Sequence, residues 1–104
     1  MLPSRVTVGG HEFAVDVVER VSKQADLRGE IDHLNGNIRI MQEMVDSRKE
    51  ECLLHEVFHE IEQQAHLGLE ERDIWTISEG FYAFIKQNPH WITFRGAGAE
   101  RTVG

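Results

Sequence analysis

The sequence His-Glu-Val-Phe-His at residues 55–59 decides how the rest of the chain is interpreted. In an α-helix, residues i and i+4 lie on the same face, so His55 and His59 can share one metal ion. Glu56 lies one step round the helix, where its carboxylate can take a proton from a water at that metal. The spacing therefore predicts zinc as a cofactor, with His55 and His59 as ligands and Glu56 as general base.

A helix is expected around this motif. Ser47 followed by Glu50 matches the capping box that marks a helix start, and Gly68 is a typical helix stop. At about 100° per residue, one broad face is apolar and consists of Leu54, Val57, Phe58, Ile61 and Ala65. The opposite face consists of His55, His59, Glu62 and His66. This pattern predicts that the apolar face packs on a core while the histidines face elsewhere; the alternative is a solvated polar face.

A second helix is predicted from about Glu70 to Asn88, ending before Pro89 because the residue that precedes proline disfavours helix. Catalytic zinc usually has three protein ligands and a water, so a third ligand is needed. Glu79 lies 20 residues after His59 (79 − 59), at the edge of an apolar stripe on this helix. We therefore predict Glu79 as the third ligand; the alternative is an ordinary surface acid.

The first forty residues are typical of strands. Val6 and Val8 precede a Gly9-Gly10 turn, and an alternating segment that includes Phe13 follows, which indicates a hairpin. A second hairpin is expected around residues 35–37, with residues 30–33 and 37–41 as its strands. Strands followed by helices predict an α+β domain with a small antiparallel sheet.

Composition limits the classes of function. A length of 104 residues fits one domain, expected over residues 1–94 with a flexible tail at 95–104. The formal charge of −7 disfavours nucleic-acid binding. Cys52 has no second cysteine with which to pair, so a metal site must use histidine and carboxylate ligands. The sequence has neither an apolar segment long enough for a membrane span nor a signal-type N-terminus, so we expect a cytoplasmic protein without a membrane partner.

Several motifs together resemble those of one family. They are the HExxH motif at residues 55–59, Leu-Glu-Glu-Arg at 69–72, Ser-Glu-Gly-Phe-Tyr at 78–82, Asn-Pro at 88–89 and the strand-rich segments at 29–32 and 37–40. Over residues 5–90 the chain resembles small phage-borne metallopeptidases, which are similar in layout to minimal gluzincins and more distantly to the ImmA/IrrE type. The resemblance implies a zincin-like fold and a phage or prophage origin. It also implies a glutamate ligand on the helix after the motif, which supports Glu79.

These observations lead to one hypothesis and its alternatives. We expect a zinc-dependent metallopeptidase that acts on a peptide or protein substrate, with activity that can be latent, as in some minimal gluzincins. Tyr82, His66 and His90 are candidates for stabilising the transition state, with Tyr82 chosen as the catalytic residue. The alternatives are a catalytically silent zinc-binding module, a regulator directed at one repressor, and a metal-free interaction domain.

Overall fold

The computed structural model describes residues 2–19, 21 and 28–90. Four strands are followed by two helices: β1 Arg5–Val8, β2 His11–Val18, β3 Gly29–Asp32, β4 Asn37–Met41, α1 Asp46–Ala65 and α2 Glu71–Gln87. The α+β class is thus confirmed. The expected boundary at residue 94 and the tail at 95–104 lie outside the described residues. Neither helix combines the length and the apolar character that a membrane crossing requires.

The sheet is mixed, which corrects the prediction of an antiparallel sheet. Both expected hairpins are present, since β1 pairs antiparallel with β2 and β3 pairs antiparallel with β4. The strand order is β1-β2-β4-β3, however, and β4 lies parallel to β2, with Ile38 opposite Val15. Ile38 and Ile40 of β4 are fully buried, whereas every residue of β3 is partly exposed. A strand this apolar is favoured in the centre of a sheet, and that position places β4 alongside β2 in the same direction.

Helix α1 begins at Asp46 rather than at a capping box. Its N-cap residue is Val45, and no side chain caps the first turn. The prediction from Ser47 and Glu50 is therefore wrong. The capping box instead occurs at α2, where the side chains of Glu70 and Asp73 each accept a hydrogen bond from the other residue's backbone N–H.

The face of α1 that packs on the sheet differs from the predicted apolar face. Its buried residues are Cys52, Leu53, His55, Glu56 and Glu60, whereas Ile61 is 41% exposed and Ala65 is exposed. Cys52 and Leu53 join a core formed by Val8, Phe13, Val15, Ile38 and Ile40. The prediction failed because α1 is covered on two sides, by the sheet and by α2, and a single helical wheel assumes one covered side.

Helix α2 packs across α1 and is held to it by few buried groups. Ile74 and Ser78 are its buried residues, and the ring of Phe81 contacts the ring of Phe58 edge-on at 5.8 Å. A link of five residues, 66–70, joins the helices, with His66 in the left-handed region at φ 54°. Because this link is short, the first turn of α2 returns directly to the middle of α1.

Candidate metal centre

Three donor groups converge between α1 and the first turn of α2. The Nε2 atoms of His55 and His59 lie 3.0 Å apart. The two carboxylate oxygens of Glu71 lie 2.9 Å from them, Oε2 from His55 and Oε1 from His59. Among the described residues, this is the group of three or more potential ligands whose donor atoms all lie within 4.8 Å of one another.

This geometry fits a tetrahedral metal ion. Zinc binds histidine nitrogen and carboxylate oxygen at about 2.0–2.2 Å, which sets the ligand atoms of a tetrahedral site about 3.3–3.5 Å apart. The observed triangle of 3.0, 2.9 and 2.9 Å is slightly smaller, and a modest outward movement would admit the ion. Two imidazole nitrogens that point lone pairs at each other repel, and a shared cation removes that repulsion. The His and Glu donor set matches the ligands that zinc takes in hydrolytic sites.

His55 is buried and held by an aromatic contact. Its side chain is 4% exposed, and the ring of Trp75 packs against it with centroids 4.1 Å apart. Burial lowers the pKa of His55; Glu71 opposes this shift and His59 adds to it. The imidazole is therefore favoured in its neutral form, which is the form that binds metal. Its Nδ1 atom is buried without a hydrogen-bond partner among the described residues, so Trp75 rather than an acceptor orients the ring.

Glu56 lies in the same cavity, with 6% of its surface exposed. Burial raises the pKa of its carboxyl group to about 7, and the negative charges of Glu71 and Glu30 add to the shift. A carboxylate whose pKa lies near neutrality can both accept and return a proton at physiological pH. The structure thus brings together three of the predicted residues, His55, Glu56 and His59.

Glu79 and Tyr82 do not join this group. Glu79 is exposed and lines a second, smaller cavity that shares Arg28, Cys52 and Trp75 with the first. The Tyr82 hydroxyl donates a hydrogen bond of 2.7 Å to Glu50, one turn into α1. Burial raises the pKa of Tyr82 to about 12, and Glu50 contributes to this shift. The geometry therefore favours Glu71 over Glu79 as third ligand and gives Tyr82 a contact outside the cavity.

Glu71 was missed because the register between two helices depends on the link that joins them. Glu71 follows His59 by only 12 residues (71 − 59), and the sequence alone suggested that a carboxylate this close would lie on the turn. A usable signal was present in Glu70 and Asp73, whose capping interaction starts α2 at residue 71. Reading that box would have placed Glu71 in the first helical turn, beside the end of α1.

The cavity over these residues has a volume of about 590 Å³. It is lined by residues of β3 and its flanks, of α1 and of α2: Arg28, Gly29, Glu30, Ile31, His33, Cys52, His55, Glu56, His59, Glu71 and Trp75. Edge strand β3 thus forms one wall and the metal-ligand candidates form the opposite one. Gly29 is needed in this wall because a Cβ atom there would lie 2.5 Å from the Cys52 sulfur.

Glu60 and His33 form a second polar contact at this cavity, and the sequence gave no reason to pair them. His33 Nδ1 lies 2.5 Å from Glu60 Oε1, and Gln64 donates to Glu60 Oε2 at 2.6 Å. Burial raises the pKa of Glu60, but the hydrogen bonds from Gln64 and His33 outweigh it, so the net pKa is lowered. Glu60 is therefore favoured as a carboxylate although it is 4% exposed.

Comparison with known proteins gives no relative from which to transfer a function. No family model matches the chain, and no curated protein or solved structure shows significant similarity to it.

Proposed function

We propose that this protein is a zinc-dependent metallopeptidase with His55, His59 and Glu71 as metal ligands and Glu56 as general base. The observation that carries the proposal is the convergence of the two histidine Nε2 atoms and the Glu71 carboxylate, all within 4.8 Å. It is supported by the buried carboxyl group of Glu56, which opens into the same cavity. The substrate is a peptide or a protein.

The division of labour follows from the positions of the side chains. Bound zinc would lower the pKa of a water and polarise the scissile carbonyl. Glu56 would take the proton of that water and pass it to the leaving amine, because its pKa of about 7 suits both steps. Trp75 would keep the His55 ring in its binding orientation.

The number of ligands favours a hydrolytic centre over a purely structural one. Structural zinc sites are closed by four protein ligands, whereas hydrolytic sites keep one position for water. The candidate group has three members within the described part of the chain, and it borders an open cavity. A catalytically silent zinc module would need a fourth ligand that this group does not contain.

Metal content is the first test. Zinc per chain would be measured by plasma mass spectrometry in the wild type and in the variants His59→Ala, Glu71→Ala and Glu79→Ala. We expect about one zinc per chain in the wild type and in Glu79→Ala, and a loss in the other two variants. Loss in Glu79→Ala with retention in Glu71→Ala would restore Glu79 as the ligand. A wild type that stays metal-free after reconstitution with zinc would refute the proposal.

Turnover is then tested with Glu56→Gln on a peptide library. We expect this variant to bind zinc like the wild type and to lose about 10²- to 10⁴-fold in rate, the usual contribution of a general base. Glu43→Gln, an exposed acid outside the cavity, is the matched control. Zinc binding by a wild type that cleaves no member of the library would favour the silent module.

A further inference from the structure

A chain of hydrogen bonds runs from the first hairpin to the mouth of the cavity. Gln64 Nε2 donates to the Val8 carbonyl at 2.9 Å and to Glu60 Oε2 at 2.6 Å. The other Glu60 oxygen contacts His33 Nδ1 at 2.5 Å. Val8 and Glu60 are both buried, so this chain is anchored in the body of the protein and ends on His33, at the surface.

The contact with Glu60 fixes the orientation of the His33 ring. A carboxylate can only accept, so Nδ1 carries the ring proton in this pair. The neutral ring then presents the lone pair of Nε2, and within the described ranges no hydrogen bond occupies that atom. His33 is one-third exposed and lines the cavity that also holds His55, Glu56 and His59.

A buried carboxylate is an unusual device for holding a loop residue. Burying a charged group is unfavourable unless hydrogen bonds compensate, and Glu60 needs both Gln64 and His33 for this purpose. The turn between β3 and β4 already has local bonds of its own, since Asp32 accepts from the backbone N–H groups of Leu34 and Asn35. The turn therefore does not depend on Glu60 for its shape, which leaves the orientation of His33 as the effect of the contact.

We propose that His33 is a substrate-contacting residue whose Nε2 accepts a hydrogen bond from a backbone N–H of the bound peptide. Glu60 and Gln64 are positioning residues that act through His33. This inference rests on the peptidase function proposed above and extends it, because it assigns the recognition of the peptide backbone to the wall opposite the metal ligands. Neither the HExxH motif nor the cluster of ligands requires such a residue.

Two substitutions separate substrate contact from a structural role. The side-chain amide nitrogen of asparagine lies close to the place of Nδ1, so His33→Asn keeps a donor for Glu60 but removes Nε2. Glutamine reaches the place of Nε2, so His33→Gln restores a polar group there. A purely structural His33 would be replaced well by asparagine and poorly by glutamine, whereas a substrate contact predicts the reverse.

Binding of two probes to the zinc-loaded full chain tests the proposal by calorimetry. The first probe is the tripeptide hydroxamate prolyl-leucyl-glycine hydroxamate, which has a zinc-binding group and a peptide backbone. The second is acetohydroxamic acid, which has the zinc-binding group alone. We expect His33→Asn to weaken the tripeptide about 5- to 10-fold, as for one lost hydrogen bond, and to leave acetohydroxamic acid unchanged. His33→Gln should recover part of the loss.

The outcomes are distinct. Wild-type affinity of His33→Asn for the tripeptide would overturn the inference and leave the peptidase proposal intact. An equal loss for both probes would also overturn it, because the effect would then lie at the metal. A wild type that binds no zinc would refute the peptidase proposal and this inference with it. Thermal unfolding of both variants checks that the fold is retained.

Discussion

Helix α1 buries polar side chains, whereas helix α2 leaves apolar side chains exposed to solvent. His55, Glu56 and Glu60 of α1 are each at most 6% exposed. Ile77, Phe81 and Phe84 of α2 are each at least 40% exposed. Both arrangements oppose the usual relation between polarity and burial, which makes them informative.

The difference shows that the two helices stabilise the protein in different ways. The buried polar groups of α1 are unfavourable to folding unless they are paired, and His55 Nδ1 has no hydrogen-bond partner among the described residues. Such groups are retained where a site needs them. Helix α2 contributes Glu71 and Trp75 to the site, and it relies on very few fully buried side chains for its attachment.

The largest effect is expected at Ile74, which is 1% exposed and is the one apolar residue of α2 that is buried. Ile74→Ala should lower the free energy of unfolding by about 2–5 kcal/mol, because it removes buried apolar surface and leaves a cavity. Ile77→Ala, on the same helix but 42% exposed, should cost less than about 1 kcal/mol. Urea unfolding measures both. Equal losses would mean that the exposed stripe of α2 is covered in solution, and the contrast between the helices would fail.

An intermediate effect is expected where the buried face of α1 meets β3. Gly29→Ala would bring a Cβ atom to 2.5 Å from the Cys52 sulfur, and overpacking of this kind costs about 1–3 kcal/mol. The next nearest atoms would lie at 3.4 Å, which is ordinary contact. In a Cys52→Ala background most of the cost of Gly29→Ala should therefore disappear. A double-mutant cycle by urea unfolding measures this coupling, and additive losses would show that the two elements are not tightly packed.

The smallest effect concerns the contact between the far ends of the helices. Tyr82 is the single tyrosine of the chain, so its ionisation can be followed by absorbance at alkaline pH. Its pKa should be about 12 rather than the ordinary 10, and Glu50→Gln should move it back towards 10. Because the folded-state pKa is raised, this contact stabilises the protein below pH 10 and loses its effect as the pH rises through 12. A tyrosine pKa near 10 in the wild type would show that the bond to Glu50 is not formed in solution.

The sequence was sufficient for features that depend on local spacing. The two hairpins, the two helices and the unit of His55, Glu56 and His59 follow from turn residues and helical periodicity, and the structure contains all of them. Features that depend on how elements meet were not accessible in this way. Placement of β4 beside β2, burial of His55 under Trp75 and choice of Glu71 over Glu79 depend on tertiary packing. His33 and Glu60 are 27 residues apart, and no local pattern relates them.

The parallel pairing of β2 with β4 has a consequence for the order of folding. Each hairpin joins strands that are close in sequence and can form quickly, but the pairing of Val15 with Ile38 closes a loop of 23 residues (38 − 15). Until that seam forms, β3 has no fixed place and the wall that carries His33 is missing. The histidine pair lies within one helix and can meet a metal earlier. A nascent chain could thus capture its ion before it is able to engage a peptide, which would delay the onset of proteolysis until folding is complete.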